Sequence, residues 1–291
     1  RSDFKQLLET LKFGIVGCGT SNGLAKSILY AGNEIYSPLE STFLLCKGHT
    51  RHLDLSTYET SAQSYLSFLT FSYGFIADID IESECIHCLG SIRHDIWAVW
   101  RILYLKSYPA KFYYYMPPPS TEGNAAFKMP ELNDAITPKP ADHDDSSSSS
   151  GGWKMIEDEF VHIWACQVSH PSYNVMNSPN STLDDGLFRV FIIRKPCTRW
   201  NLAKMCLQLE NGEHLSTPGL EVINCTAYRL EPATSTAAED GVTACKGINV
   251  LDGEVVESGI IQAMIMPKAM MFFTCDDDAT TDAATCNDVN G

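Results

Sequence analysis

The stretch from Phe71 to Arg93 reads FSYGFIADIDIESECIHCLGSIR, and the rest of the chain is organised around it. Its first half alternates between two faces, so we predict an extended strand that runs from Phe71 to Glu82. Asp78, Asp80 and Glu82 would then lie in a row on one face of the strand. Carboxylates that close repel one another unless water or a cation relieves them. The row is therefore either a solvated strand end or a site for a cation such as the amine of a substrate.

The second half of the stretch changes to a helical period. Its apolar residues recur at spacings of three, four and seven, at Leu89, Ile92, Ile96, Val99 and Leu103. This spacing predicts a helix after the strand, which carries His87 and Arg93. An acidic strand end beside a basic helix would form the rim of a pocket.

The composition sets limits on the class of protein. The chain has 291 residues, of which 44% are hydrophobic, and this is typical of a globular protein with a sizeable core. The formal net charge of −15 argues against nucleic acid as a partner. The same charge repels a nucleotide, so a phosphate site here needs Mg²⁺ or local basic groups. No apolar run reaches the roughly 18 residues of a membrane span.

The cysteines indicate a reducing compartment. There are 11, an odd number at irregular spacings, which favours free thiols in a cytoplasmic protein over a disulfide framework. Cys85 and Cys88 form a CxxC pair, but a zinc site needs two more ligands at matching spacing and no second CxxC exists. We therefore expect no metal site there.

A glycine-rich turn lies near the start of the chain. A short apolar strand, 13–16, precedes the turn Gly17-Cys18-Gly19-Thr20-Ser21-Asn22-Gly23, and a helix begins near Leu24. In this context backbone N–H groups can hold a phosphate. The turn matches neither the Walker A pattern nor the dinucleotide fingerprint, and a tight turn without a ligand is the alternative.

The remaining pattern is mainly that of strands. We predict strands at 42–46, 63–71, 111–115, 159–168, 187–194, 222–230, 259–266 and 269–274, a helix at 200–209, and a hairpin over 248–257 that turns at Asp252-Gly253. The segment 117–152 contains three consecutive prolines and a serine run, and we predict that it is disordered. This density of strands favours a β-sandwich.

Two of these motifs resemble the sphingosine kinases, within the wider diacylglycerol kinase-like lipid kinases. The first is YGFIADIDIESE (73–84), followed by Leu-Gly and then Arg93. The second is the glycine-rich turn, where Gly19, Thr20, Asn22 and Leu24 match the family pattern, Gly17 stands for a proline and Ser21 for a glycine. If that glycine needs a positive φ, Ser21 strains the turn or changes its path. The resemblance covers most of the chain apart from 117–152 and the C-terminal tail.

The resemblance implies an α+β architecture in three parts. Residues 1–36 would be the C-terminal remnant of an α/β nucleotide-binding domain. Residues 37–274 would form a β-sandwich lipid-binding domain with the disordered insertion 117–152, and residues 275–291 an acidic disordered tail.

The resemblance also implies an activity. Sphingosine kinases transfer a phosphoryl group from ATP, with Mg²⁺, to the primary hydroxyl of a sphingoid base, and the implied protein is cytoplasmic with transient recruitment to a membrane surface. The family's base is the aspartate of a Gly-Gly-Asp-Gly type motif upstream of the glycine-rich turn. No such motif occurs in this chain, so we expect the base upstream of Arg1 and no activity from the chain alone.

Site residues follow from the same alignment. Asp80 falls on the aspartate that hydrogen-bonds the amine and secondary hydroxyl of the lipid head, with Asp78 and Glu84 as candidate supports. Lipid-tail positions are Phe75, Ile76, Ile79, Leu202, Met205, Leu209 and His214. Nucleotide positions are Gly19, Thr20, Asn22, His87, Arg93, Gly253 and Glu254. Core packing explains the apolar set equally well, and His87 replaces an arginine of the family.

Two alternatives stay open at this point. The first is a lipid-binding pseudokinase without catalysis, which the absent base, Ser21 and His87 favour. The second is a kinase for ceramide or diacylglycerol, against which Asp80 argues because neither lipid has a free amine.

Overall fold

The computed structural model describes residues 10–90, 92–117, 127–138, 151–233 and 247–275. Within these ranges the α-helices are α1 (Gly23–Ala31), α2 (Pro38–Lys47), α3 (Phe75–Glu82), α4 (Ile92–Leu103) and α5 (Arg199–Gln208), with 3₁₀ helices at Ser83–Leu89 and Glu213–Ser216. The strands are β1 (Lys12–Phe13), β2 (Thr50–Glu59), β3 (Ser64–Ser67), β4 (Thr70–Gly74), β5 (Tyr108–Met116), β6 (Gly152–Cys166), β7 (Phe188–Arg194), β8 (Leu220–Cys225), β9 (Ala227–Pro232), β10 (Asn249–Leu251), β11 (Glu254–Val256) and β12 (Ile261–Phe273).

Hydrogen bonds join these strands into one curled sheet. Its main path runs β11-β10-β4-β6-β5-β9-β12-β2-β3, with β7 and β8 branching from β6 and β1 pairing with β12. All pairs are antiparallel except β1 with β12. The expected mixture of helices and strands is confirmed, whereas the β-sandwich is not, because all twelve strands belong to a single sheet.

The two faces of the sheet carry different cores. The inner face is aromatic, and strands from all parts of the path contribute to it, for example Tyr58, Phe71, Phe112 and Tyr228. Tyr58 and Tyr228 share a hydrogen bond of 2.8 Å between their hydroxyl groups, so the polar ends of these buried rings are paired. The outer face of β6 and β7 is covered by α3, α4 and α5.

The largest correction concerns the stretch that opened the sequence analysis. The predicted strand from Phe71 to Glu82 ends at Gly74, and residues 75–82 form α3. Gly74 makes this change of direction possible, since its φ is 83° and a Cβ there would lie 2.6 Å from the Val161 carbonyl oxygen. Phe75 and Ile79, one helical turn apart, both pack in the outer core.

The segment 42–46 was also predicted wrongly, since it lies in α2. The hydroxyl of Ser37 accepts a hydrogen bond from the Glu40 amide at 3.0 Å, Pro38 occupies the first turn, and Gly48 ends the helix with a φ of 81°. These are local start and stop signals for a helix, and they outweigh the β propensity of Thr42 and Phe43.

Part of the predicted disordered insertion packs against the sheet. In residues 127–138, Leu132 and Ile136 are buried. The buried guanidinium of Arg229 donates to the carbonyl oxygens of Glu131 and Asp134 at 2.8 and 2.6 Å. The prediction therefore does not hold for this segment, while the serine run and the acidic tail lie outside the described residues.

The other predicted elements agree in part with the structure. The strand predicted at 13–16 is the short β1, the strand predicted at 63–71 is divided between β3 and β4, and β2 was not predicted. The predicted helix at 200–209 is α5, and the hairpin at Asp252-Gly253 joins β10 to β11. The strand predicted at 222–230 is split into β8 and β9, and the two predicted at 259–274 form one strand, β12, with an irregularity between Met266 and Met270. None of the helices in the described ranges has the length and apolar character needed to cross a bilayer.

Candidate functional site

The three carboxylates of α3 occupy three different environments. Asp78 is buried, whereas Asp80 and Glu82 are partly exposed. On a helix, residues 78 and 82 are neighbours on one side, and residue 80 points elsewhere. The helix therefore separates charges that the predicted strand would have placed in one row.

Asp78 belongs to a buried network. Its carboxylate contacts the guanidinium of Arg101, which is 3% exposed, and accepts a hydrogen bond of 2.5 Å from the Tyr108 hydroxyl. Burial raises the pKa of Asp78, and the Tyr108 hydrogen bond and the Arg101 charge oppose that rise. Asp78 thus anchors α3 to α4 and β5, and this role differs from direct contact with a ligand.

Glu82 extends the same network towards solvent. It accepts from the Trp97 indole at 3.0 Å and lies 3.4 Å from both Arg101 Nε and Lys106 Nζ. Burial works against ionisation, but these partners together hold the pKa of Glu82 below its usual value. Sequence reasoning missed Arg101 and Tyr108. One signal in the sequence could have identified Arg101, because it is the one charged residue in the otherwise apolar run 96–103.

Asp80 has no comparable network among the residues that the structure describes. Burial raises its pKa to about 7, and the positive charge of Arg93 partly opposes this rise. Arg93, in the first turn of α4, is also half-buried. Asp80 and Arg93 are the predicted head-group and phosphate residues, and the structure brings them close enough to interact. A poorly solvated carboxylate of this kind binds a cation strongly.

Most of the residues that follow α3 in the chain are exposed to solvent. His87 is exposed in the 3₁₀ helix Ser83–Leu89, and its Nδ1 lies 3.3 Å from the Glu84 carbonyl oxygen. Glu84, predicted as a possible support for Asp80, is exposed too. Cys85 and Cys88 are exposed free thiols. Within the described ranges no three His, Cys, Asp or Glu side chains are grouped so that they could hold a metal ion.

Six of the seven predicted lipid-tail residues lie in two adjoining parts of one apolar layer, and His214 contacts it through Phe191. We use the term apolar layer for the side chains that lie between the helices α3, α4 and α5 on one side and the outer face of β6 and β7 on the other. One part contains Phe75, Ile79, Leu202 and Met205 together with Val161 and Ile193. A second part contains Leu209 with Trp164, Cys166 and Phe191, and Ile76 packs against both. His214 is buried with its ring centroid 5.9 Å from that of Phe191.

The glycine-rich turn is held by a separate loop. The Ser21 carbonyl oxygen accepts from the Tyr173 amide at 2.7 Å, and Gly23 lies so close to the chain at His170 and Pro171 that a Cβ would be 2.4 Å from the Pro171 carbonyl oxygen. Gly19 and Thr20 are exposed. The turn therefore presents its predicted contact residues to solvent while its far side is packed against residues 170–173.

Within the turn, Asn22 takes the unusual conformation. Its φ is 50°, and its side chain both accepts from the Gly19 amide at 2.8 Å and donates to the Gly19 carbonyl oxygen at 2.6 Å. Asparagine tolerates this left-handed region better than most residues. Ser21 has no positive φ, so the strain considered for it in the sequence analysis does not arise.

The hairpin of Gly253 and Glu254 is fixed by its neighbour Asp252. The carboxylate of Asp252 accepts from the Ser67 hydroxyl at 2.8 Å and from the Thr70 amide at 2.9 Å, with the backbone at a φ of 51°. Glu254 is exposed. Asp252 thus has a structural role at the start of β4, whereas Gly253 and Glu254 are both exposed and their contact with a nucleotide stays a prediction.

Comparison with known proteins gives a consistent result. No family model matches the chain. Sphingosine kinase 1 of Arabidopsis thaliana is 29% identical over 281 residues, which cover 94% of this chain and 56% of that protein. Human sphingosine kinase 1 is 29% identical over 262 residues, which cover 86% of this chain and 64% of that protein. The chain thus spans little more than half the length of the plant relative.

A solved structure shares the fold. The crystal structure of a putative diacylglycerol kinase from Bacillus anthracis str. Sterne matches with a TM-score of 0.55 and 14% identity, covering 92% of this chain and 72% of that one. The chain is thus similar in sequence to sphingosine kinases of a plant and an animal, and its fold is similar to that of the Bacillus anthracis protein.

Proposed function

We propose that this protein serves in an ATP-dependent kinase that phosphorylates the primary hydroxyl of sphingosine or a related sphingoid base. The observation that carries the proposal is Asp80, a half-buried carboxylate whose pKa is raised to about 7 by burial, and Arg93 is the one charged neighbour among the described residues that opposes this rise. A carboxylate that has given up most of its water and has no close ion pair gains much from binding an ammonium group. The names of the relatives point to the same substrate class.

The surroundings of Asp80 support a long-chain base over other amines. Ile79 and Phe75, on the same helix, enter the apolar layer that also holds Leu202 and Met205. A sphingoid base combines an ammonium group with an unbranched apolar chain, which matches an acidic group beside an apolar layer. Ceramide and diacylglycerol lack the ammonium group and would leave Asp80 without a partner.

Nucleotide binding is proposed at the glycine-rich turn. The turn leads into the N-terminus of α1, which has no acidic residue in its first turn and no side-chain cap on its amides. Free amides at a helix N-terminus attract phosphate, and the permanent charge of Arg93 would add to this attraction. The described residues offer no preformed metal cluster, so Mg²⁺ would be bound chiefly by the nucleotide phosphates.

The experiment that tests this proposal measures binding and transfer separately. The protein is titrated with sphingosine and with ceramide by calorimetry, and is then incubated with either lipid and γ-labelled ATP while phosphorylated lipid is measured. We expect sphingosine to bind at least about tenfold more tightly than ceramide, because only sphingosine pairs with Asp80. Labelled sphingosine phosphate would support the kinase. Binding without transfer is the result expected of this chain alone, which lacks the base, and only the same result with a protein extended upstream of Arg1 to include the Gly-Gly-Asp-Gly type motif would favour the non-catalytic alternative. Equal binding of the two lipids would contradict the role of Asp80.

Recruitment to a membrane surface from the cytoplasm is part of the proposal. The outward side of α4 and of the preceding 3₁₀ helix is apolar, with exposed side chains at Leu89, Ile92, Ile96, Val99, Trp100, Leu103 and Tyr104. A contiguous apolar patch on an amphipathic helix is typical of a surface that binds other proteins or lipid. Because the chain has a net charge of −15, insertion of apolar side chains is a more plausible source of affinity than attraction to anionic lipids.

Val99→Asp is expected to weaken binding to phosphatidylcholine vesicles by about tenfold or more, because an apolar side chain that would enter the bilayer is replaced by a charge. Co-sedimentation with vesicles measures this loss. Leu39→Asp in α2 is a matched control, since Leu39 is 75% exposed and Val99 60%. Equal effects of the two substitutions would rule out α4 as the membrane-facing element.

A further inference from the structure

Several buried polar atoms next to the apolar layer have no partner. Among the described residues, His162, Gln208, His214 and Thr217 each have at least one buried side-chain nitrogen or oxygen without a hydrogen bond. The two histidines are each only 1% exposed. Buried polar groups are nearly always paired with protein, water or ligand, so this group calls for an explanation.

His162 faces the apolar layer from the sheet. The pairing of β6 with β7 is irregular between Phe160 and His162, and beyond that point His162, Trp164 and Cys166 share one face of the strand. Trp164 and Cys166 belong to the part of the apolar layer around Leu209. The ring of His162 lies edge to face with that of Trp164 at 5.7 Å, and its Nδ1 is unpaired.

His214 approaches the same region from the helical side. It lies in the 3₁₀ helix Glu213–Ser216, with its ring 5.9 Å from Phe191, which pairs with Trp164 across the two strands. The backbone of Asn177 comes near, but neither ring nitrogen of His214 forms a hydrogen bond of normal geometry.

Both rings are neutral near neutral pH. Burial lowers the pKa of His162 to about 3, with a further contribution from His214, and burial also lowers the pKa of His214. A neutral imidazole has one donor and one acceptor nitrogen. Each ring can therefore donate to or accept from a hydroxyl group that enters the layer, and the effect of His214 on the pKa of His162 indicates that the two side chains influence each other.

We propose that the apolar layer takes a long-chain amine whose tail carries a hydroxyl group, and that His162 and His214 bind this hydroxyl inside the layer. This inference rests on the proposed function, since it treats the layer as the site of the lipid tail. It adds a substrate preference: a plain alkyl tail would leave the imidazole nitrogens unpaired, whereas a hydroxylated tail would satisfy them. Sites built to bind a hydroxyl discriminate against the analogue that lacks it.

The test compares two matched sets of lipids. Octadecylamine and a series of the same amine, with one hydroxyl stepped along the distal half of the chain, are titrated into the protein by calorimetry. We expect at least one hydroxylated member to bind about tenfold more tightly than the plain amine. His162→Leu, which fills the same space without polar atoms, is expected to remove or reverse this preference, whereas the exposed control His52→Leu keeps it.

Each outcome has a defined meaning. If the wild-type protein binds the plain amine at least as tightly as every hydroxylated one, the inference fails while the proposed function stands. A preference that survives in both His162→Leu and His214→Leu would also overturn it, because the histidines would then not be its source. If no amine binds at all, the proposed function fails together with the inference. The wild-type comparison does not depend on the folding of any variant.

Discussion

Arg101→Met is expected to lower the free energy of unfolding by about 3 to 5 kcal/mol, because it leaves the buried Asp78 carboxylate without its positive partner. The Tyr108 hydroxyl would remain as a donor, but a neutral hydrogen bond does not replace the charge of a guanidinium. Urea denaturation at neutral pH measures the loss.

A double-mutant cycle separates the ion pair from simple packing effects. Asp78→Asn in the Arg101→Met background removes the uncompensated charge. The double variant is therefore expected to lose less free energy of unfolding than the sum of the losses in the two single variants. Lys111→Met is the matched control, because Lys111 and Glu157 form an exposed ion pair at 3.6 Å and its loss should cost less than about 0.5 kcal/mol. A similarly small effect of Arg101→Met would show that the Asp78 network does not hold α3 and α4 in place.

The pH dependence of this variant gives a second readout. Burial already raises the pKa of Asp78, and the Arg101 charge opposes that rise. Without Arg101 the pKa of Asp78 rises further, so the folded variant holds its proton to higher pH than the unfolded chain does. The destabilisation is therefore expected to shrink as the pH is lowered, since protonation removes the buried charge.

Asp80→Asn is expected to weaken the binding of a long-chain amine by about 10- to 100-fold, the range for losing a charge-assisted hydrogen bond. Isothermal titration with sphingosine measures the change. Asp95→Asn is the control, because Asp95 is an exposed carboxylate on the neighbouring α4. Unchanged affinity in the Asp80 variant would remove the main support for an amine substrate.

The affinity of the wild-type protein should also depend on pH. The pKa of Asp80 is about 7, so the carboxylate becomes ionised as the pH rises through 7, and amine binding is expected to strengthen over that range while the amine stays protonated. The Asp80→Asn variant should lack this dependence.

The stability of the free protein follows the opposite direction. Between the usual value of 3.8 and about 7, the folded state keeps a proton on Asp80 that the unfolded chain has lost. The free energy of unfolding is therefore expected to fall as the pH rises across this window and to level off above it. Asp80→Asn should remove this component from the pH profile, and an unchanged profile would contradict the raised pKa.

Local signals in the sequence predicted several elements well. The Asp252-Gly253 turn and the helix at 200–209 were correct, because turn and cap chemistry depends on a few adjacent residues. The resemblance to sphingosine kinases, based on residues 73–84 and the glycine-rich turn, is confirmed by relatives that match over most of the chain. Six of the residues named for the lipid tail lie in the apolar layer, which core packing explains equally well, so their role in binding a lipid stays a prediction.

The same reasoning failed where two periodicities fit one stretch. Residues 75–82 alternate like a strand, but Phe75 with Ile79, and Asp78 with Glu82, are also spaced by one helical turn. For α4 the apolar spacing correctly predicted a helix. It could not say which side faces the protein, and the structure buries Arg101 while leaving Val99 exposed.

The sequence by itself indicated the resemblance to sphingosine kinases, predicted the helix that follows the glycine-rich turn, and named Asp80 as a candidate for binding an amine. Only the tertiary structure assigned different roles to Asp78 and Asp80. The partners of Asp78 lie 23 and 30 residues further along the chain, and no local pattern connects them. A carboxylate becomes an anchor or a binding site according to its burial and its neighbours, and both are set only when distant parts of the chain pack together.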